Sequence, residues 1–130
     1  MGLEKAQKGK IFFDEQRMEL LDIKSLRKQI SISSINYNFI GKSVYEAISY
    51  SKSKEKKRKV QSILDDLQVG MDLKTKLEID TYLDEGLSNL SLNHKVLMAF
   101  ARCFLSEKQI VIIDGLSDYV DLPVYENIIK

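Results

Sequence analysis

Four apolar residues closed by an acid, Ile110-Val111-Ile112-Ile113-Asp114, form the most pointed chemical pattern in this sequence of 130 residues. A short run this apolar reads as a fully buried parallel strand. A carboxylate at its C-terminal end stands where open α/β sheets bind ligands. Upstream, Ser91 precedes a strongly apolar helical stretch. Its hydroxyl suits a helix N-cap, a common role for serine, and the free amides beside it suit an anion. His94 falls in the first turn of the same stretch and could meet that anion, although a solvated histidine is the plainer reading. Cys103 is the single cysteine, so it has no internal disulfide partner, and a metal site would need other ligands. The only histidine shares its helix, which favours a packed small residue over a nucleophile. Tyr82, Glu85 and Gly86, in a turn-rich stretch, offer surface contacts or simply a turn.

These residues need elements to hold them. Val96, Leu97, Phe100, Ala101 and Phe104 give the helix after Ser91 a wide apolar face, which predicts a buried helix. Strands are predicted near 10–14, from Lys10-Ile11-Phe12-Phe13-Asp14 after the turn residue Gly9, and near 29–33, where Gln29-Ile30-Ser31-Ile32-Ser33 alternates. A short helix around Ser25–Lys28 leads into the second strand. Ser43, with Glu46 three residues on, predicts a capping box before Val44, Ala47 and Ile48. Val60, Ile63, Leu64 and Leu67 form a helical stripe that Gly70 closes. The run Lys52 to Lys59 is dense in positive charge, but no aromatic residues interleave to stack on bases, so a solvated helix face is favoured and no nucleic-acid partner is expected.

Composition sets the frame. With 44% hydrophobic and 30% charged residues and a net charge of +1, the sequence fits one ordinary globular domain without a global drive toward polyanions. No apolar run approaches a bilayer span and the polar Met1–Lys10 lacks the core of a signal peptide, so a cytoplasmic protein is expected.

The ordered series Asn89-Leu90-Ser91, a helix ending Ala101-Arg102-Cys103-Phe104-Leu105, then Ile110 to Asp114 resembles the signature motif, its helix and the Walker B strand of ATP-binding cassette (ABC) exporters. Downstream, Asp114-Gly115-Leu116-Ser117-Asp118-Tyr119-Val120-Asp121 is similar to the family's D-E-A-T-S-A-L-D, which places Ser117 and Asp121 in the D-loop. Asp80-Thr81 through Glu85-Gly86 is similar to the exporter element D-T-x-V-G-E-G, departing from it at Asp84 and Leu87. The segments Ser25 to Ile30 and Phe39 to Val44 resemble the surroundings of the Q-loop, and Gly9-Lys10-Ile11 the turn after the Walker A helix.

The resemblance implies ATP and Mg²⁺ as cofactors, with Ser91 and Asp114 as the remaining nucleotide and magnesium contacts. It implies that Tyr82, Glu85 and Gly86 touch a transmembrane domain or subunit, and that a second nucleotide-binding domain is a partner. The protein would then work at the cytoplasmic face of the membrane through that partner. Departures matter as much. No G-x-x-x-x-G-K-[ST] occurs, so a phosphate-cradling loop is lacking in these 130 residues, as is the family's switch histidine. Gly115 stands where a glutamate polarises the attacking water, and Ile35 where the Q-loop glutamine stands. The signature reads Leu90-Ser91-Leu92-Asn93-His94, its two glycines replaced by larger residues.

The expectation is therefore one partial domain over 1–130: an α/β fold with a partial parallel sheet from the strands near 10–14, 29–33 and 110–114, and a mainly helical part at about 40–90. A whole cassette adds the strand leading into the phosphate loop and the helix after it, so apolar surface should be left uncovered. Such a sequence suits a fragment of a transporter chain or a natural remnant. No catalytic residue and no protein-bound metal are assigned. The first functional expectation is a non-hydrolysing cassette segment that pairs with an active cassette or a transmembrane domain. The alternative is a stand-alone interaction or regulatory protein. Last comes an ATPase completed by a second chain.

Overall fold

The computed structural model describes residues 6–34, 39–70 and 75–114. Its elements, in chain order, are β1 (Phe12–Phe13), β2 (Gln16–Arg17), α1 (Ile23–Lys28), β3 (Ile30–Ser34), α2 (Val44–Ser49), α3 (Lys54–Gly70), α4 (Leu92–Leu105) and β4 (Ile110–Asp114). Single 3₁₀ turns cover Met18–Leu20 and Glu85–Leu87. The fold is mixed helix and strand with small sheets, as an α/β cassette fragment requires.

The strands near 29–33 and 110–114 form a parallel pair, with Ile30 opposite Ile110 and Ile32 opposite Ile112. The strand near 10–14 does not join them. Phe12–Phe13 instead folds back antiparallel on Gln16–Arg17, across a turn in which Asp14 takes a left-handed φ of 51°. Aspartate tolerates that conformation and is a common turn residue, so the local turn decides the pairing. A second correction concerns β4. It is parallel but not fully buried: Val111 and Ile112 are 36% and 40% exposed, and Ile32 beside Ile112 is 49% exposed. With one neighbouring strand among the described residues, the apolar run keeps an open side, in line with the expected uncovered surface.

The core lies between the helices. Val44, Ile48, Val60, Leu64, Val96 and Phe100 are at most 1% exposed and belong to one cluster. α4 packs on α2, α3 and β3, so it is sandwiched between the sheet and the other helices. Capping follows the expected chemistry with one variation. The Ser43 hydroxyl accepts from the Glu46 amide, and the Glu46 carboxylate reaches past Ser43 to accept from the Lys42 amide at 3.0 Å. In α3 the basic residues occupy the exposed first turns, where Lys57 pairs with Asp80 and Lys59 with Glu107. That hydrogen bond and the ammonium charge hold the Glu107 carboxyl below the ordinary glutamate range.

Candidate functional site

α4 positions most of the candidate residues, and β3 positions α4. The Ser31 hydroxyl donates to the Cys103 sulfur at 3.6 Å and the Ser33 hydroxyl to the Ala99 carbonyl at 3.3 Å. Two residues along a strand advance about 6.6 Å. Four residues along a helix advance about 6.0 Å. The two spacings nearly match, so one turn of α4 seats on one strand repeat, and the pairing shows that the helix runs antiparallel to the strand. Small side chains on both surfaces permit the close approach. Cys103 is 1% exposed and acts here as a packed residue with a weak hydrogen bond, as its apolar neighbours suggest.

Ser91 sits at the exposed N-terminus of α4. Its side chain accepts a hydrogen bond from the His94 amide at 3.2 Å, which makes it the helix cap. The hydroxyl proton remains available to an acceptor. Leu92, where the family has a glycine, is 44% exposed. His94 is not the solvated side chain expected from its first-turn position. It is half-buried, and its Nε2 lies 2.9 Å from the Thr75 carbonyl. A carbonyl only accepts, so Nε2 carries the proton in that contact. Among the described residues the buried Nδ1 has no hydrogen-bond partner. Sequence reading missed this contact because Thr75 is 19 positions upstream and carries no local signal.

Asp114 is exposed at the C-terminal end of β4, paired in register with Ser34. That places it near the level of Ala99 on α4. Ser91 lies eight residues beyond Ala99 on the helix, and since Ser34 stands one strand residue past Ser33 toward that end, about 9 Å along the axis separates Ser91 from the level of Asp114. The structure therefore does not bring Ser91 and Asp114 onto one small contact. Among the described residues no group of three His, Cys, Asp or Glu side chains is placed to hold a metal ion. Asp114 and Ser91 alone do not make a complete Mg²⁺-nucleotide site. Gly115, Ser117 and Asp121, together with Ile35, lie outside the described residues.

The 80–86 element is exposed and firmly held. Tyr82 bridges to Ser43. Val44 donates to the Thr81 carbonyl at 3.0 Å and Leu83 to the Lys42 carbonyl at 3.1 Å. The Asn89 side chain ties the turn from the other side, donating to the Tyr82 carbonyl at 2.6 Å and accepting from the Asp84 amide at 3.3 Å. Tyr82 is nevertheless 65% exposed, with Glu85 and Gly86 also at the surface. Gly86 takes a left-handed φ of 70°, a conformation glycine adopts without steric penalty. Hydrogen bonds on both sides thus hold the backbone from Thr81 to Asp84, while the Tyr82 and Glu85 side chains stay exposed. Among the described residues no helix is long and apolar enough to cross a membrane.

Known proteins are similar to this chain in sequence. The chain is 25% identical over 114 residues to "ABC transporter ATM1" of Plasmodium falciparum, covering 87% of this chain and 11% of that protein. It is 26% identical over 117 residues to "ATP-dependent lipid A-core flippase" of Pectobacterium atrosepticum, covering 88% of this chain and 20% of that protein. The chain thus spans a fifth or less of the length of these relatives. A family model described as ABC transporter matches residues 1–116, and the chain belongs to that family, as part of its ATP-binding domain.

Proposed function

We propose that this chain serves an ABC exporter as a cassette segment that does not turn over ATP by itself, and that it acts by docking against a transmembrane partner and a second nucleotide-binding domain at the cytoplasmic face of the membrane. The observation that carries this reading is the arrangement around α4. The 80–86 element is fixed by backbone bonds yet exposed, and the Ser91 end of the helix is exposed close by in the chain. Rigid presentation of outward-facing groups suits contact with another protein surface. The relatives support the exporter side of the reading, one being named a transporter and the other a flippase.

The family binds ATP with Mg²⁺. In this chain Ser91 and Asp114 are the groups that would face the phosphates and the hydrated magnesium, from separate levels of the fold. Bound nucleotide would supply the phosphate charge that Ser91 and the α4 amides face. The sequence provides no phosphate loop, and Gly115 supplies no base. Nucleotide affinity of the isolated chain is therefore expected to be no tighter than millimolar, about −4 kcal/mol, with no turnover. Calorimetric titration with Mg²⁺-ATP and a phosphate-release assay test both statements. Micromolar binding, or turnover abolished by Asp114→Asn, would overturn them.

A further inference from the structure

One side chain of α4 has no part in the reading above. Arg102 lies in the last turn of the helix, and its guanidinium stacks on two rings. Its carbon is 4.5 Å from the centre of Phe39 and 4.4 Å from the centre of Tyr50. Nη2 also donates to the Ala47 carbonyl at 2.5 Å. Phe39 precedes α2 and Tyr50 follows it, so a single cation grips both flanks of this helix.

The helix needs such help. At six residues α2 is too short to persist on local interactions. Ser43 and Glu46 serve its N-terminus, whereas the carbonyls of its last turn lack successors within the helix. Arg102 supplies a donor to one of them. Tyr50 itself adopts a left-handed conformation, φ 50° and ψ 31°, which a bulky residue takes up only where its surroundings hold it. Tyr50 is 63% exposed, so burial in the core is not what holds it. Its amide donates to the Glu46 carbonyl, and its ring meets the Arg102 guanidinium.

We propose that Arg102 is a positioning residue that pins Phe39 and Tyr50 to α4 and so fixes the chain on both sides of α2. A lysine cannot do this. Its compact ammonium lacks the planar fork that stacks on aromatic faces while donating a hydrogen bond. This inference rests on the contacts of Arg102 alone and is independent of nucleotide or of any transport partner.

Hydrogen exchange on the full chain tests it. In Arg102→Lys, peptides covering 39–43 and 49–53 should exchange about tenfold faster, the combined loss expected for two partly exposed cation–π contacts. Amides of Val96–Ala101 should stay within about twofold of the parent. Phe39→Leu is the second route, because it preserves an apolar side chain. It should speed exchange at 49–53, across α2, and should add nothing in an Arg102→Lys background. In the parent, ring currents should shift the Arg102 side-chain protons upfield, and Phe39→Leu should reverse part of that shift. The proposal is overturned by exchange in Arg102→Lys that matches the parent or rises equally in α4. It is equally overturned by a purely local effect of Phe39→Leu, or by unshifted Arg102 protons in the parent.

Discussion

Replacing Phe100 with alanine probes the fold where it is most tightly packed. Phe100 is 1% exposed and its ring stacks on Phe104, with centroids 6.1 Å apart and planes 25° from parallel. α4 is enclosed by α2 and α3 on one side and β3 on the other, so collapse into the vacated space would require helices to move. Deleting a buried aromatic under such conditions costs about 3–5 kcal/mol. A domain of this size has about 5–15 kcal/mol in total, and the loss corresponds to a fall in melting temperature of about 10–20 °C. Ser91→Ala is the control at the exposed end of the same helix. It removes one hydrogen bond to the His94 amide and should cost about 1 kcal/mol. Urea unfolding of both variants, followed by circular dichroism, gives the contrast directly. A Phe100→Ala protein as stable as the parent, or one no weaker than Ser91→Ala, would refute the placement of α4 at the centre of the fold.

Three further outcomes follow from local geometry. At Gly41 (φ 153°) an added Cβ would stand 2.7 Å from the Ala47 nitrogen and 2.9 Å from the Glu46 Cβ, so Gly41→Ala should destabilise by roughly 1–3 kcal/mol; an unchanged denaturation midpoint would contradict that close approach. Ser33, 1% exposed against α4, leaves no room for a larger side chain, and Ser33→Leu should cost about 1–3 kcal/mol by overpacking, whereas Ser33→Ala should cost about 1 kcal/mol. Asp22 caps α1, and hydrogen bonds from the Ser25 hydroxyl first and the Ser25 amide second hold its carboxyl below the ordinary aspartate range. A depressed carboxyl contributes stability above its unfolded-state pKa and loses it as pH falls through the folded value. The α1 chemical shifts should therefore lose helical character at the acid end of the carboxylate range, and Asp22→Ala should remove that dependence.

What the sequence made legible was local chemistry. Ser91 followed by a broad apolar stripe announced a capped, buried helix, and Ser43 with Glu46 announced the next one, because caps and stripes are encoded within a few residues. The parallel pairing of Ile30–Ser34 with Ile110–Asp114 could be anticipated from β-branched runs separated by helices. The burial of β4 could not, since an apolar run does not tell how many neighbours it has. The strand near 10–14 failed for a related reason: its apolar residues fit any strand, and the turn at Asp14 chose the partner. His94 and Arg102 were opaque because what they touch, the Thr75 carbonyl and the rings of Phe39 and Tyr50, lies far away in sequence.

The residues that organise the candidate surface are mostly not those that bear its chemistry. Ser31 and Ser33 on β3 meet Cys103 and Ala99 on α4, and these four small side chains set how closely and at what height the helix lies on the strand. The height matters, since it leaves Ser91 about 9 Å beyond the level of Asp114 along the helix. A ligand large enough to span that distance, or two surfaces meeting from different sides, is needed to engage both. The other end of the same helix carries Arg102, whose grip on Phe39 and Tyr50 depends on the same seating. A larger residue at Ser33 would displace α4 as a body, so its effect should reach the Ser91 end and the Arg102 end together, although neither residue touches Ser33 among the contacts described.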